Sequence, residues 1–298
     1  MKPITFCYSV YNNLPYLELS IKSVLKGNKL IEKIIVFAEN CTDGTDEWLQ
    51  NNLPVDCIFI EHNDKDNIRG IGGGINYIIS KVETPYFYLA HADMVFPENF
   101  DKALFNYFDH PLYENKRLII SSYRCEPNIW GNPSQQPGLI TVPTITFGEY
   151  HHNFNYNRFN QWALQFSNHN EGKFIESAGG AGGFIMRKED WDYIGGNDDL
   201  FKPSCYEDID LFLRMRLEGF SFIMTLDTML YHFGGRGGFW ENDQVGKKQE
   251  RQIKAEQDGY HKWITKWGEI FQFDNNRLPI ITDNISKTYF NTIKHTII

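Results

Sequence analysis

The chain has 298 residues, of which 42% are hydrophobic and 15% aromatic, enough for a large core and too apolar for an intrinsically disordered protein. A formal net charge of -9 argues against general nucleic-acid affinity, which depends on clustered Lys and Arg. Five widely spaced cysteines without a Cys-x-x-Cys pair argue against a zinc or dithiol site and favour a reducing, cytoplasmic compartment.

The N-terminal stretch MKPITFCYSVYNN has an apolar run that is too short for a signal peptide or a membrane-spanning helix. We therefore expect a soluble protein, and the sequence leaves peripheral membrane contact open.

Four apolar, β-rich runs alternate with segments of helical spacing in the first hundred residues. The runs are ITFCYSV (4–10), KIIVFA (33–38), DCIFI (56–60) and YFYLA (86–90). Strands that alternate with helices predict an α/β fold with a mostly parallel sheet flanked by helices. Ligands of such sheets bind beyond the carboxyl ends of the strands, so the loops after these runs form the candidate site.

The second part of the chain is less regular. Residues 125–172 are rich in Asn, Gln, Pro, His and aromatics without a clear period, which predicts long loops that set substrate specificity. A helix is predicted at 207–220, followed by strands at 221–226 and 228–232.

The chain is divided into a catalytic domain, 1–240, and a mostly solvated helical appendage, 241–298. Within the domain, 1–100 is predicted to bind the nucleotide and 101–240 the acceptor. The appendage is a candidate for homo-oligomer formation or membrane contact.

The stretch LAHADMVF (89–96) places His91 and Asp93 at the end of the fourth strand. On an extended chain the two side chains share one face, and both can ligate a divalent metal. A turn-capping aspartate explains the pattern equally well.

Two other strand ends carry weaker signals. Glu39, after the second strand, suits a hydrogen bond to a base or ribose, and an ordinary solvated acid is as good an explanation. The run RGIGGG (69–74) resembles a phosphate loop, but close packing of a helix on the sheet explains its glycines better.

Acidic residues crowd the start of the helix that begins in YEDIDL (206–211). The helix dipole alone favours acids in a first turn, but three within four residues exceed what a cap requires. A helix start also holds a general base rigidly beside a cleft. Further on, His232 ends a strand and is more often structural than a ligand, while Arg236 between glycines suits a mobile loop that closes on an anion.

These motifs, taken in order, resemble the family 2 glycosyltransferases, inverting enzymes with the GT-A fold that use nucleotide-sugar donors. The resemblance covers residues 4–235. ITFCYSVYNNLPYLELSIKSVL looks like the family's opening strand and helix, ENCTDGTDEWL like its Asp-Asn-x-Ser segment, and HADM stands at its Asp-x-Asp position. GGAGGFIMRKEDW, YEDIDLFLRMRLEGF and YHFGG are similar to its acceptor-side block.

The resemblance implies that Asp93 binds a divalent metal, Mn²⁺ or Mg²⁺, on the donor diphosphate, with His232 as a further metal contact. It also implies that Asp208 is the general base, with Glu207 and Asp210 as second-line candidates. The candidate donor-binding residues are Ser9, Tyr11, Glu39, Asp43, Arg69, Asn76, His91, Ala92 and Arg236. The candidate acceptor-binding residues are Gly182, Gly183 and Trp130. His91 and Glu39 each stand where the family has aspartate.

We expect a metal-dependent inverting glycosyltransferase that moves a sugar from a UDP-linked donor to a hydroxyl of a saccharide or glycoconjugate. A non-catalytic carbohydrate- or nucleotide-binding protein on the same fold is an alternative, motivated by His91 and Glu39. A sugar nucleotidyltransferase is less favoured, because the first strand-to-helix loop, in SVYNNLPYL, has no Lys or Arg.

Overall fold

The structure, a computed structural model, describes residues 3–54, 56–129, 131, 138–176, 183–236 and 238–294. The strands in these ranges are β1 (Ile4–Val10), β2 (Ile31–Glu39), β3 (Ile58–His62), β4 (Tyr86–Ala90), β5 (Met94–Val95), β6 (Leu118–Pro127), β7 (Leu139–Val142), β8 (Phe174–Glu176), β9 (Phe184–Arg187) and β10 (Ser221–His232). The α-helices are α1 (Leu14–Leu25), α2 (Thr45–Asn52), α3 (Gly70–Ile79), α4 (Phe100–Ala103), α5 (Tyr156–Asn170), α6 (Lys188–Ile194), α7 (Glu207–Leu217), α8 (Glu250–Trp267) and α9 (Asp283–Thr288).

These strands form one mixed sheet in the order β3-β2-β1-β4-β9-β6-β10-β5, with β7 beside β6 and β8 beside β10. Strands β1 to β4 are parallel neighbours, which confirms the mostly parallel sheet predicted for the first hundred residues. Their apolar residues form near-continuous runs because hydrophobic clusters cover both faces of the sheet.

The second half of the sheet pairs residues that are distant in sequence. Strand β9 is antiparallel to β4 and β6, while β10 is parallel to β6 and antiparallel to β5. The prediction of two strands at 221–226 and 228–232 is wrong, because they are one strand with a register irregularity between Thr225 and Met229. Helix α7 ends at Leu217, three residues before the predicted end.

The predicted loop region 125–172 contains a long helix that the sequence analysis missed. Asn155 caps α5 by accepting a hydrogen bond from the Arg158 backbone N–H. The buried positions of α5 are Phe159, Asn160 and Ala163, and Tyr156, Trp162 and Phe166 of the same helix pack partly buried against the core. These apolar residues recur at helical spacing, so the period is present in the sequence and was missed among the Asn and Gln residues that surround it.

Helix α8 has one buried face and is otherwise largely solvated, as predicted for the segment after residue 240. Trp263 and Trp267 are essentially inaccessible to solvent and pack in a cluster with Phe201 and with Leu213 of α7. The boundary at 240 stays a prediction. Among the described residues, no helix is both long and apolar enough to cross a membrane.

Candidate active site

Three potential metal ligands meet at the carboxyl end of β4. The expectation that His91 and Asp93 share a strand face is wrong, because β4 ends at Ala90 and residues 91–93 form a turn. Strand β5 follows this turn at once and pairs with β10, which places Met94 opposite His232. One ligand atom from each of His91, Asp93 and His232 lies within 4.8 Å of the other two.

Asp93 is buried and held on both oxygens. Its Oδ2 accepts a hydrogen bond of 2.8 Å from the Gly235 N–H, and its Oδ1 lies 3.5 Å from His232 Nε2. Burial alone would raise the pKa of Asp93, but His232, His91 and the Gly235 amide hold it well below its usual range. The carboxylate is therefore ionised at neutral pH.

A glutamate that the sequence analysis missed lies directly behind His232. Strand β10 is parallel to β6 with Tyr231 opposite Cys125, so the neighbouring Glu126 comes beside His232. Its Oε1 lies 2.7 Å from His232 Nδ1 and 2.8 Å from Arg124 Nε. Arg124 and Glu126 are two charged residues near the end of an otherwise apolar strand. That pattern was the feature of the sequence that could have indicated Glu126 as a site residue.

The two histidines of the cluster have opposite pKa shifts. His91 is exposed, yet the protein packed around it lowers the pKa of its imidazole to about 4, so the ring is neutral. Burial also disfavours charge on His232, but the Asp93 and Glu126 carboxylates outweigh it and raise its pKa to about 9. His232 must therefore release its proton when it ligates a metal.

The three side chains fit a divalent ion. An ionised carboxylate and two imidazoles, one backed by a carboxylate, form the donor set commonly seen around transition metals. Mg²⁺ prefers oxygen ligands in near-octahedral geometry, so the two nitrogens make it a poorer match.

The start of α7 carries the second group of acids. Glu207 is buried, and its Oε2 has no hydrogen-bond partner among the residues that the structure describes. Burial and the neighbouring Asp208 raise the pKa of Glu207 to about 8. Asp208 is exposed, yet the protein packed around it also raises its pKa.

The prediction for Asp210 as a second-line catalytic residue requires correction. Its side chain is fully buried and accepts hydrogen bonds from Arg214 Nε at 2.8 Å and Trp267 Nε1 at 3.0 Å. The ammonium of Lys266 lies 2.5 Å from its Oδ1. A carboxylate sealed among these partners cannot reach an acceptor, so its place in the structure supports a role in packing.

The loops after β1 and β2 are joined by two polar side chains. The Asp43 carboxylate accepts hydrogen bonds from the Leu14 N–H at 2.9 Å and from the Thr45 hydroxyl at 2.6 Å. The Asn12 amide oxygen accepts a bond of 2.7 Å from the Thr42 N–H. These two side chains, which we term the loop latch, fix the neighbouring loops to each other.

Glu39, expected at a base or ribose, holds the start of α3 instead. It is buried, and its two oxygens accept hydrogen bonds from the Arg69 and Gly70 amides at 2.6 and 2.9 Å. The Arg69 guanidinium lies 4.4 Å from the centre of the Tyr77 ring. A contact of Glu39 with a nucleotide stays a prediction and would use its remaining lone pairs.

The other donor-side residues differ in exposure. Asn76 is fastened to the Asn197 backbone by two bonds of 2.8 Å, and Ser9 is half-buried beside α3. The Tyr11 ring is 44% exposed at the end of β1, with the Arg251 guanidinium 4.4 Å from its centre.

Arg236 is not the free loop arginine that the sequence suggested. It is 1% exposed and donates hydrogen bonds to Glu149 at 2.8 Å and to the Asp243 carbonyl at 2.6 Å. Its guanidinium also lies 4.5 Å from the centre of the Tyr150 ring. In this arrangement Arg236 is held by Glu149, Tyr150 and Asp243, and closure on an anion would require these contacts to break.

The remaining candidates lie on the acceptor side and in the 91–93 turn. Ala92 is half-buried against the main core. Gly183 leaves no room for a side chain, because a Cβ there would lie 2.5 Å from the Tyr88 hydroxyl. Gly182 and Trp130 lie outside the described residues.

Both acidic groups lie at the same edge of the sheet. The Ile71 N–H, at the start of α3, donates a 2.8 Å bond to the Pro203 carbonyl, and Gly72 contacts Glu207. The start of α7 is thereby fixed near the carboxyl ends of β2 and β3, while Asp93 follows the carboxyl end of β4. Parallel α/β sheets bind ligands at this edge.

Comparison with known proteins identifies the family. Residues 5–190, more than half of the chain, match the model of Glycosyl transferase family 2. The processive diacylglycerol beta-glycosyltransferase of Mycoplasma pneumoniae is 33% identical over 122 residues, which are 35% of this chain and 35% of that protein. Its counterpart in Mycoplasma genitalium is 34% identical over 101 residues, 32% of this chain and 28% of that protein.

The chain thus spans about a third of the length of these two relatives. The crystal structure of GalNAc-T7 with UDP, GalNAc and Mn²⁺ superposes with a TM-score of 0.58 at 11% identity, covering 90% of this chain and 49% of that chain. At that identity the superposition shows the fold alone. The predicted family and fold are confirmed: the chain belongs to glycosyl transferase family 2, a family of glycosyltransferases with the GT-A fold.

Proposed function

We propose that the protein is an inverting glycosyltransferase that moves a sugar from a nucleotide-sugar donor to a hydroxyl of a saccharide or glycoconjugate. The observation that carries this proposal is the presence of two different groups of residues at the carboxyl edge of the sheet. The His91, Asp93 and His232 cluster is suited to a cation, and Asp208 is a solvent-facing carboxylate with a raised pKa.

Asp208 acts as the general base in this proposal. The acceptor O–H gives its proton to a carboxylate oxygen of Asp208 while the acceptor oxygen forms a bond to the anomeric carbon. The bond from that carbon to the diphosphate oxygen breaks, and the nucleoside diphosphate leaves with the electron pair. A raised pKa favours this role, because it makes the carboxylate a stronger base than an ordinary aspartate.

His91, Asp93 and His232 hold the divalent metal, and Glu126 fixes the ring orientation of His232. The bound ion supplies positive charge that offsets the charge of the leaving diphosphate. We propose Mn²⁺ rather than Mg²⁺, on the strength of the two imidazole donors. The test is the affinity for each ion by calorimetry with UDP present, and equal or tighter Mg²⁺ binding would contradict the choice.

Two lines support inversion and UDP. The names of the Mycoplasma relatives specify a beta product, and a β linkage formed from an α-linked nucleotide sugar requires inversion at the anomeric carbon. UDP follows from the family resemblance. NMR of the product anomeric proton tests the stereochemistry, and an α product from an α-linked donor would rule out inversion.

A lipid acceptor is the second candidate for the acceptor class. Both relatives carry diacylglycerol in their names, and a diacylglycerol presents a single primary hydroxyl that Asp208 could deprotonate. Side-by-side assays with diacylglycerol in mixed micelles and with free monosaccharides and disaccharides separate the classes. Transfer only to the soluble sugars would exclude the lipid acceptor.

The first experiment is a thermal-shift panel with UDP, GDP, dTDP and CDP, each with and without Mn²⁺. A ligand that binds the native state raises the melting temperature, so the panel reports base preference and metal dependence together. We expect UDP with Mn²⁺ to give the largest shift, and Asp93→Ala to lose it. No shift with any nucleotide would favour the non-catalytic carbohydrate-binding alternative.

A further inference from the structure

Helix α8 contacts Tyr206, the residue that precedes Glu207 and the proposed base Asp208. Gly259, in the middle of α8, packs directly on Cys205 and Tyr206. A Cβ at position 259 would lie 2.6 Å from Tyr206 Cδ2 and 3.0 Å from the Cys205 carbonyl oxygen. The helix therefore approaches the backbone just before Glu207 more closely than any side chain would allow.

The same helix contacts Asp210, two residues after the proposed base Asp208. Near the end of α8, Lys266 Nζ lies 2.5 Å from Asp210 Oδ1, and Trp267 Nε1 donates a 3.0 Å bond to that oxygen. Glu207 and Asp208 thus lie between two points at which α8 holds the chain, at residues 205–206 and at residue 210.

The backbone at Cys205 and Tyr206 has an unfavourable conformation that contacts from neighbouring elements must stabilise. Cys205 and Tyr206 have φ values of 75° and 74°, in the left-handed region that residues with a Cβ rarely adopt. Such conformations persist when the surrounding structure enforces them. Gln252 of α8 adds a contact, with Nε2 at 3.4 Å from Cys205 Sγ.

The opposite side of the 203–207 segment is covered by the start of α3. The Pro203 carbonyl accepts a bond from the Ile71 N–H, and a Cβ at Gly72 would lie 3.4 Å from Glu207 Cβ. The segment that carries the base is therefore enclosed between α3 and α8, and only Asp208 faces solvent within the 207–208 pair.

We propose that α8 is part of the catalytic centre and that Gly259 is a positioning residue, which sets the place of the Asp208 carboxylate through its contact with Cys205 and Tyr206. This inference rests on the proposed function, in which Asp208 is the base. It gives the C-terminal segment a role in the reaction that needs no second subunit and no membrane.

The test is Gly259→Ala, because the added methyl must displace the Tyr206 ring or the Cys205 carbonyl. We expect kcat for sugar transfer to fall about 10- to 100-fold, since displacement of a reacting group by about 1 Å has effects of that size. The Kd for UDP with Mn²⁺, by calorimetry, stays within about twofold of wild type, because the metal cluster is not touched. The matched control is Gly238→Ala, where a Cβ meets no atom of the described part of the chain within 4 Å.

A purely structural role for Gly259 would lower stability and leave the pH dependence of kcat unchanged. We expect instead that the apparent pKa of the base in the kcat profile moves in Gly259→Ala and not in Gly238→Ala. Unchanged kcat and an unchanged profile would overturn the inference. If Gly259→Ala does not fold, Gln252→Ala tests the same contact with a smaller change, and wild-type kcat in that variant would count against it.

Hydrogen exchange keeps this inference separate from the proposed function. The Asp210 N–H bonds to the Tyr206 carbonyl at 3.0 Å and reports the first turn of α7. We expect faster exchange at this amide in Gly259→Ala than in Gly238→Ala. Equal exchange would overturn the inference even if the wild-type protein transfers no sugar, whereas absent transfer with faster exchange would contradict only the proposed function.

Discussion

Asp93 and Glu207 are both buried carboxylates at the carboxyl edge of one sheet, but their neighbours differ in charge. Asp93 has His232 and His91 beside it, and its pKa lies well below the usual range. Glu207 has the acidic Asp208 as its neighbour, and its pKa is raised to about 8. Burial acts to raise both pKa values; at Glu207 the Asp208 carboxylate adds to this effect, whereas at Asp93 the histidines and the Gly235 amide reverse it.

This difference explains how the carboxyl edge of one sheet can support two kinds of chemistry. A carboxylate that stays ionised is suited to holding a cation, and a pair of acids that retains a proton is suited to proton transfer. Substitution of one carboxylate at a time tests this contrast.

The largest effect is expected from Asp208→Asn, which removes the proposed base and keeps its shape. We expect kcat for transfer to fall on the order of 10²- to 10⁴-fold, the range that general-base catalysis contributes. Binding of UDP with Mn²⁺, measured by calorimetry, should be unchanged. Asp192→Asn is the control, because that exposed side chain forms a surface i,i+4 pair with Lys188, a kind of pair that contributes little. Undiminished transfer in Asp208→Asn would exclude the assignment.

Removal of the Asp93 carboxylate, in the metal cluster, should abolish metal-dependent nucleotide binding. In Asp93→Asn the side chain keeps its volume but loses the charge that a divalent ion requires. We expect the Mn²⁺-dependent part of the UDP thermal shift to disappear and the metal-independent part to remain. A full Mn²⁺-dependent shift in this variant would place the ion elsewhere.

Glu126→Ala should weaken metal binding at the same cluster, by less than Asp93→Asn does. Without its carboxylate, His232 loses the partner on Nδ1, and loss of such outer partners typically weakens metal binding about 10- to 100-fold. Glu126→Gln, which still accepts a hydrogen bond, should retain more affinity. Calorimetry with Mn²⁺ compares both with Glu171→Ala, an exposed glutamate. Equal affinities would show that Glu126 does not act on the site.

The smallest effect is expected on the pH dependence of the free energy of unfolding. Folded Glu207 keeps its proton up to a pKa of about 8, whereas an unfolded glutamate releases it near 4.5. The native state then binds more protons than the unfolded state, so the free energy of unfolding decreases as pH rises between these values. Glu207→Gln should flatten this slope in urea unfolding at pH 5 and pH 8. An unchanged slope would show that Glu207 is not protonated in the folded protein.

The sequence predicted the strands of the first half because their apolar residues cluster in short runs between helical segments. The family resemblance implied Asp93 and His232 as metal ligands, and His91 was a donor-binding candidate whose side chain can also ligate a metal. Metal binding by these residues stays a prediction. Glu126 was missed, since its place beside His232 depends on the pairing of β10 with β6, strands roughly a hundred residues apart in sequence.

The roles of Asp210 and Arg236 could not be inferred from their neighbours in the sequence. Both are charged residues beside motif positions, and a local pattern does not tell which charge points into the core. Burial with Lys266 and Trp267, or with Glu149, is a tertiary property. The contact of Gly259 with Tyr206 is of the same kind, because a glycine inside a helix indicates close packing without naming the partner.

The loop latch of Asn12 and Asp43 has a consequence for engineering donor preference. Because these side chains already join the loops after β1 and β2, binding a donor need not order those loops, and little conformational entropy is lost there. A library that varies residues 12 and 43 would give up this advantage along with any gain in selectivity. Varying Tyr11 and Arg251, which are exposed and face each other, leaves the loop latch intact.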